Sequence, residues 1–411
     1  MFNEQLAVLA VFVFLYSLIA GRIERSFLSG PIIFVSVGYL MGPDGFGLFA
    51  GDESPQTLRL LADLTLALFL FNDAANANLR VLSKRASVPA RMLLLGLPLI
   101  IASGFVLAFV MFDVLSIYEA ALVGVILAAT DAALGKAVVS NKMVPVRLRE
   151  GLNAESGLND GLCVPVLLAF IALELRGTEG VEDGFFLQLL LEELGVGVLI
   201  GLVVSALACW LILRFWRAGW ISSVWLQIST MAIALVCFSI AQYMHASGYI
   251  AAYSGGLLFG LITSKHSEEL LHSAEGIAEV MALLTWFMFG CVVLSVSFGM
   301  FAWPIVIYAI LSLTVIRMVP VFTVLTGSGE STKSKLFLGW FGPRGLASIV
   351  FAVIVLDNKL PNAEYIANIV AYTVLLSLTL HGITAHGLSK WMARQDSSGD
   401  TTPPNTGEKH D

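Results

Sequence analysis

Apolar segments long enough to cross a lipid bilayer occupy most of this 411-residue chain, in which 57% of the residues are hydrophobic and only 13% are charged. A typical soluble domain has about 25% charged residues, and a membrane-spanning helix needs roughly 20 mostly apolar residues. The chain is therefore predicted to be an all-α polytopic membrane protein. The segments lie at residues 5–21, 28–43, 56–74, 92–112, 117–140, 151–174, 185–215, 221–244, 247–263, 277–298, 301–326, 335–356 and 363–388.

Lys and Arg residues alternate between successive loops in a way that supports thirteen segments. Eighteen of the 23 Lys and Arg residues follow odd-numbered segments, whereas only Arg59, Arg176 and Lys359 lie on the other side. Cytoplasmic loops carry an excess of these residues, which places the N-terminus outside and the C-terminus in the cytoplasm. The short loops and short tail favour a bacterial inner membrane.

The segments divide into two halves within one transmembrane domain, residues 1–394. The first half covers about 1–174 and the second about 221–394, and a linking helix at about 185–215 joins them. The linking segment has 31 residues, which as a helix would be roughly 46 Å long, enough for a tilted bar between two halves. Residues 395–411 have no apolar pattern and are predicted to form a disordered cytoplasmic tail.

Segments five and twelve contain residues that interrupt an apolar helix. Segment five contains Thr130 and Asp131, and segment twelve contains Gly-Pro-Arg-Gly at 342–345. Pro343 removes a backbone donor and clashes with the preceding turn, and Thr and Asp side chains can bind freed backbone groups. The two segments are seven apart, so they run antiparallel. Two interrupted helices that cross, in matching positions of inverted six-helix repeats, indicate a transporter binding site.

Segment six begins with a polar patch that contains Glu155, Ser156, Asn159 and Asp160. Ionisable groups within a membrane are costly and indicate function by default. Ser156 and Asp160 are four residues apart and share a helix face, whereas Glu155 and Asp160 differ by about 140°. Ser and Asp oxygens are suitable ligands for a hard cation such as Na⁺ or K⁺. The patch therefore predicts a cation site at Ser156 and Asp160.

The charged residues of the interrupted segments need partners of opposite charge. Arg344 does not lose its proton, so a carboxylate of segment six is its expected partner. An ion pair between Glu155 and Arg344 leaves Asp160 for the transported ion. Asp131 is expected to compensate the partial charges at the ends of the broken helices.

These polar residues together resemble the signature of monovalent cation/proton antiporters of the NhaP type. The matching residues are Thr130-Asp131, Glu155-Ser156, Asn159-Asp160 and 342–345. The resemblance covers all thirteen segments. It implies that Asp160 binds the cation or the proton and that Ser156 and Thr130 supply further metal-binding oxygens.

The same resemblance implies supporting roles around this site. Asn159 would tie the two broken helices together, Asp131 would neutralise helix ends within the site, and Glu155 would bridge to Arg344. It also implies a homodimer whose core domain moves against a dimerisation domain in the lipid bilayer. We expect no cofactor, no nucleic-acid partner and no enzymatic activity, because the cation and the proton are substrates of transport.

The expected mechanism is competition of one proton and one cation for Asp160. With Asn159 in place of a second acid beside Asp160, one cation should exchange for one proton without net charge transfer. The alternatives are a passive cation channel and an intramembrane serine hydrolase that would use His381 with Ser348 or Ser377.

Three further charged residues have less specific interpretations. Asp63 and Asp73 in segment three are interpreted as interfacial or accessory. Arg317 either pairs with Glu279 or extends towards the membrane surface, and the sequence leaves both open.

Overall fold

The computed structural model describes residues 2–23, 29–49, 55–76, 87–131, 134, 138, 141, 143–176, 194–263, 267–294, 297 and 299–399. Every regular element in these ranges is a helix, and no β-strand occurs among them. The predicted all-α class is confirmed.

Within these ranges, helices occupy thirteen successive regions that follow the predicted order. The first seven are α1 (Phe2–Ile23), α2 (Gly30–Met41), α3 (Pro55–Asn76), α4 (Ser87–Arg91, a π-helical turn Met92–Gly96 and Leu97–Met111), α5 (Ile117–Ile126), α6 (Val146–Arg176) and α7 (Val196–Arg217). The others are α8 (Ser223–Tyr243), α9 (Gly248–Thr263), α10 (Ser267–Met288 with a π-helical turn Phe289–Leu294), α11a (Trp303–Leu313), α11b (Val315–Val324), α12a (Thr332–Trp340), α12b (Leu346–Asp357) and α13 (Ala363–Gly399).

Seven of the described helices are long and apolar enough to cross a membrane by themselves, and five more are apolar but shorter. The short ones include α5 and α12b, which are halves of interrupted helices. A half-helix does not need to span the bilayer, because the rest of its crossing is made by the chain on the far side of the break.

Some predicted boundaries differ from the structure. Segment eleven is divided at Thr314, whose backbone (φ −110°, ψ −89°) is not helical. Helix α13 continues to Gly399, so the first five residues of the predicted disordered tail are helical, and the rest of that tail lies outside the described residues. Residues 185–193 of the predicted linking helix also lie outside the described residues, so the length of that helix stays a prediction.

The helices pack as two groups that meet along a seam. One group contains α2, α3, α7, α8, α9 and α10, and the other contains α4, α5, α6, α11a, α11b, α12a, α12b and α13. Helix α3 packs against α12b and α6 across the seam, and α9 also packs against α6. The beginning of α6, which carries the polar patch, therefore lies where the two groups meet.

Small residues allow close contact within the first group. Gly256 and Gly260 of α9 lie against the carbonyl groups of Phe71 and Ala75 of α3, where a Cβ atom would collide with the backbone. Small residues four apart are a common means of close helix packing in membranes, because apolar burial gives no advantage over lipid there. This contact fixes α3 and α9 to one another beside α6.

Candidate functional site

The two interrupted helices cross and are linked directly through their backbones. Helix α5 ends at Ile126, and the following non-helical residues extend to Asp131, whose N–H donates to Pro343 O at 2.8 Å. A Cβ atom on Gly345 would collide with the Asp131 carboxylate, so the absence of a side chain permits this approach. The predicted interruption and crossing of segments five and twelve are confirmed.

Charged side chains compensate the half-helix ends at this crossing. Asp131 Oδ2 accepts the Leu346 N–H at 2.8 Å, at the start of α12b. Arg344 Nη1 donates to Ala128 O at 2.8 Å and to Ala129 O at 3.2 Å, just beyond the end of α5. A carboxylate at a helix N-terminus and a cation beyond a C-terminus both oppose the local partial charge. The position of Asp131 agrees with the helix-end role that was predicted for it.

Helix α6 is bound to the α5 break through Thr130. Ser156 Oγ donates to Thr130 O at 2.6 Å. Asn159 Nδ2 donates to Thr130 Oγ1 at 2.6 Å, and Asn159 Oδ1 accepts the Thr130 N–H at 3.3 Å. Asn159 thus joins α6 to the break after α5, whereas the two breaks are joined to each other by Asp131 and Arg344. This differs from the prediction that Asn159 ties the two broken helices together.

Asp160 follows Asn159 and lies at the seam. Its Oδ1 atom is buried and has no hydrogen-bond partner among the described residues. Asp73, Asp131 and Arg344 are close enough to interact with it electrostatically. A buried carboxylate oxygen without a donor is suited to bind a proton or a hard cation, since either would satisfy it. Ser156 lies one turn before Asp160 on α6 and bonds to Thr130 O, and the Thr130 backbone bonds to the Asp160 carboxyl, so the Ser156 and Thr130 oxygens are candidates to complete such a site.

Asp73 of α3 lies close to the candidate site, a position that was not predicted from the sequence. Gly157 of α6 faces it, and a Cβ atom at Gly157 would be 3.5 Å from the Asp73 Cβ. Gly161, one turn further along α6, faces the ring of Tyr253 of α9. The available signal was a carboxylate in the interior of segment three. Its position opposite Asp160 requires knowing that α3 packs against α6.

The predicted ion pair between Glu155 and Arg344 is wrong. Arg317 of α11b instead donates from Nη1 and Nη2 to the two Glu155 carboxylate oxygens, each at 2.8 Å. Both side chains are buried, with exposed fractions of 1% for Arg317 and 5% for Glu155. Gly342 lies against the Arg317 guanidinium, which leaves no room for a Cβ atom there. Arg344 Nη1 bonds to carbonyl oxygens, whereas its Nε and Nη2 atoms are buried without a hydrogen-bond partner among the described residues.

The serine and histidine residues that were considered as a hydrolase have other contacts. Ser348 Oγ donates to Ile126 O at 2.8 Å, at the end of α5. Ser377 Oγ lies 3.2 Å from His381 Nδ1, but it accepts the Arg344 N–H at 2.7 Å. All three side chains are buried in the helix bundle. These side chains therefore form hydrogen bonds with backbone groups of the broken helices.

Comparisons with known proteins agree with this architecture. The transmembrane sodium/hydrogen exchanger family matches residues 8–391. The K(+)/H(+) antiporter NhaP2 of Shewanella sp. (strain ANA-3) is 26% identical over 392 residues, which cover 92% of this chain and 64% of that protein. The Na(+)/H(+) antiporter of Schizosaccharomyces pombe (strain 972 / ATCC 24843) is 24% identical over 322 residues, which cover 71% of this chain and 68% of that protein.

A solved structure has the same fold. The sodium proton antiporter MjNhaP1 from Methanocaldococcus jannaschii superposes with a TM-score of 0.75 at 21% sequence identity, covering 95% of this chain and 99% of that chain. The chain spans about 64% of the length of the NhaP2 relative.

Proposed function

Because the chain belongs to the sodium/hydrogen exchanger family, we propose that it is a secondary antiporter that exchanges a monovalent cation, Na⁺ or K⁺, for a proton by alternating access. The observation that carries this proposal is the buried Asp160 Oδ1 without a partner, beside the Ser156 and Thr130 oxygens at the crossing. This crossing lies at the seam between two helix groups, where a relative movement would expose it to either side in turn. Such exchange would serve pH and cation homeostasis.

The direct test is proton flux in proteoliposomes that contain the purified chain. Addition of Na⁺, K⁺ or Li⁺ in turn should dissipate an imposed pH gradient, at a rate that depends on pH because the cation and the proton compete for Asp160. Protein-free vesicles give the background rate. No cation-dependent proton flux with any of the three ions would refute the proposal.

The rival functions are less compatible with the family and the site. Members of this family are transporters, so the chain is not an enzyme. A passive channel requires a continuous pore lined by carbonyl groups or charged rings, whereas the site here is a carboxylate enclosed at a helix crossing. Single-channel currents from the reconstituted chain would favour the channel.

We expect one-for-one, electrically neutral exchange. Asp160 is the one residue that alternates between a proton and a cation in this proposal, and Asn159 beside it is not ionisable. Asp73 does not change this ratio if it keeps the same charge in both bound forms. A membrane potential set with a gradient of a permeant anion such as thiocyanate, with equal Na⁺ and K⁺ conditions in both assays, should alter neither the rate nor the end point of proton movement. A clear dependence on potential would contradict the one-for-one ratio.

Replacing Asp73 by Asn should weaken cation binding without abolishing exchange. The Asp73 charge acts on Asp160 from the opposite helix group, and its loss removes attraction for the cation. The half-saturating cation concentration is expected to rise about tenfold, equivalent to about 1.4 kcal/mol. Asp63→Asn is a matched control, because Asp63 is on the same helix but about 15 Å away. Equal half-saturation for wild type and Asp73→Asn would remove Asp73 from the site.

We also propose an orientation, a location and an assembly for the chain in the membrane. The distribution of Lys and Arg supports a cytoplasmic C-terminus and an external N-terminus. We propose a bacterial inner membrane as the location and a homodimer as the assembly, in which one helix group stays fixed while the other moves.

A further inference from the structure

The break in α12 removes one particular helical hydrogen bond. In an uninterrupted helix, the Arg344 N–H would donate to the carbonyl oxygen four residues earlier, which is Trp340 O. Helix α12a ends at Trp340, and α12b begins only at Leu346. Backbone groups that lose their helical partners inside a membrane must be satisfied by other protein groups.

Helix α13 supplies a side-chain partner for each half of this missing bond, in addition to the Gly342 N–H, which donates to Trp340 O at 2.9 Å within the break. Ser377 Oγ accepts the Arg344 N–H at 2.7 Å. In the tautomer with its hydrogen on Nε2, His381 donates to Trp340 O, which lies 2.9 Å away, and Nδ1 then accepts the Ser377 hydroxyl hydrogen at 3.2 Å. Ser377 and His381 are four residues apart and therefore lie on one face of α13.

The two side chains are also connected to each other. Ser377 Oγ lies 3.2 Å from His381 Nδ1, which also lies 2.9 Å from Ser377 O. The ring of His381 packs beside that of Trp340, with 5.3 Å between centroids. Thr384, a further turn along, accepts a hydrogen bond from Trp340 Nε1 at 3.0 Å. A connected set of hydrogen bonds thus spans the gap in α12 and fixes both of its edges.

Arg344, at one end of this gap, is connected to the candidate ion site by hydrogen bonds. The Arg344 guanidinium donates to Ala128 O and Ala129 O. The next residue, Thr130, accepts the hydrogen bond of Ser156 through its carbonyl oxygen. A shift of the Arg344 backbone would therefore displace the Thr130 oxygens, which are candidate ligands of the cation.

We propose that Ser377 and His381 are positioning residues for cation binding, which replace the missing hydrogen bond between Arg344 and Trp340 and so set the geometry of the Thr130 oxygens. This rests on the proposed function, because the ligand that it concerns is the exchanged cation. Neither residue needs to contact the cation. Supporting groups of this kind typically change metal affinity or activity by about 10–100-fold when they are removed.

The experiment compares two replacements of similar size in reconstituted protein. His381→Gln keeps an N–H that can donate to Trp340 O, whereas His381→Met keeps the bulk against Trp340 without a donor. We expect His381→Met to raise the half-saturating cation concentration about tenfold or more, and His381→Gln to stay near wild type. Thr379→Ala is the control, because Thr379 is on an exposed part of α13 and bonds only to Leu375 O of its own helix in the described structure.

Each outcome decides between alternatives. Equal half-saturation for wild type and His381→Met would overturn the positioning role, and so would the same loss in the Gln and Met variants, which indicates packing alone. If His381→Met does not fold, Ser377→Ala tests the positioning role instead. This variant removes the acceptor of the Arg344 N–H, and it should raise the half-saturating cation concentration by a similar factor. If the wild-type protein shows no cation/proton exchange in the same assay, the proposed function itself is refuted. This result is distinguishable from a failure of the positioning role, which requires an active wild-type protein.

Discussion

Asp160→Asn is expected to reduce cation/proton exchange to the level of protein-free vesicles. The Asn side chain has nearly the same shape, but it neither carries the negative charge that attracts a cation nor takes up the exchanged proton. Both bound forms of the proposed cycle are therefore lost. The folded structure should persist, because Asp160 Oδ1 has no hydrogen-bond partner to lose among the described residues and Asn keeps an oxygen that accepts the backbone hydrogen bond from Thr130.

The measurement is cation-driven collapse of a pH gradient, made in parallel with size-exclusion chromatography and thermal unfolding of the purified variant. Glu150→Gln is a matched control, since it removes an exposed carboxylate from the same helix, α6. That variant should exchange like wild type. Substantial pH-driven cation flux through well-folded Asp160→Asn protein would mean that another group carries the exchanged ion.

The interruptions in the helices were predictable because their causes are local. Pro343 lacks a backbone donor, and its glycine neighbours tolerate close approach, so a break there follows from the chemistry of four consecutive residues. Thr130 and Asp131 are polar residues that bind freed backbone groups. The number of segments followed from the alternation of Lys and Arg, which depends on each loop separately.

The partners of the buried charges were not predictable in the same way. Glu155 has two arginine residues in its surroundings, Arg317 and Arg344, and sequence alone favoured Arg344 because it lies in the broken helix. The choice depends on how α11b packs against α6 and on the space beside Gly342. Asp73 was interpreted as interfacial or accessory for the same reason, since the packing of α3 against α6 has no local signal.

The hydrogen bonds from α13 to the break in α12 were only partly predictable from the sequence. His381 lies in an apolar segment, where a buried histidine needs a hydrogen-bond partner, and in the structure it is hydrogen-bonded. Its partner, however, is the Trp340 carbonyl oxygen at the α12 break, which is 41 residues away in sequence. The chemistry of a buried histidine predicts that a partner exists, but only the fold identifies it.

Arg317→Met is expected to destabilise the protein by about 3–5 kcal/mol, which is the usual cost of removing one member of a buried ion pair. Glu155 would remain as a buried carboxylate that has lost both of its hydrogen bonds to Arg317. A pair with one exposed member gives the comparison. Arg147 lies 2.7 Å from Glu330, and its side chain is 54% exposed whereas that of Glu330 is 7% exposed, so Arg147→Gln should cost less than Arg317→Met, because solvent reaches one member of the pair.

A double-mutant cycle distinguishes the observed ion pair from the predicted one. Replacing both residues of a buried pair by apolar ones is often close to neutral, so Glu155→Leu combined with Arg317→Met should be more stable than Arg317→Met alone. Unfolding by denaturant in detergent micelles would measure each free energy, and the coupling energy should be about 2–3 kcal/mol for residues in direct contact. The coupling of Glu155 with Arg344 should be smaller, since Arg344 bonds to Ala128 O and Ala129 O instead. If Glu155 coupled more strongly to Arg344 than to Arg317, the pairing seen in the structure would be contradicted and the pairing inferred from sequence would be restored.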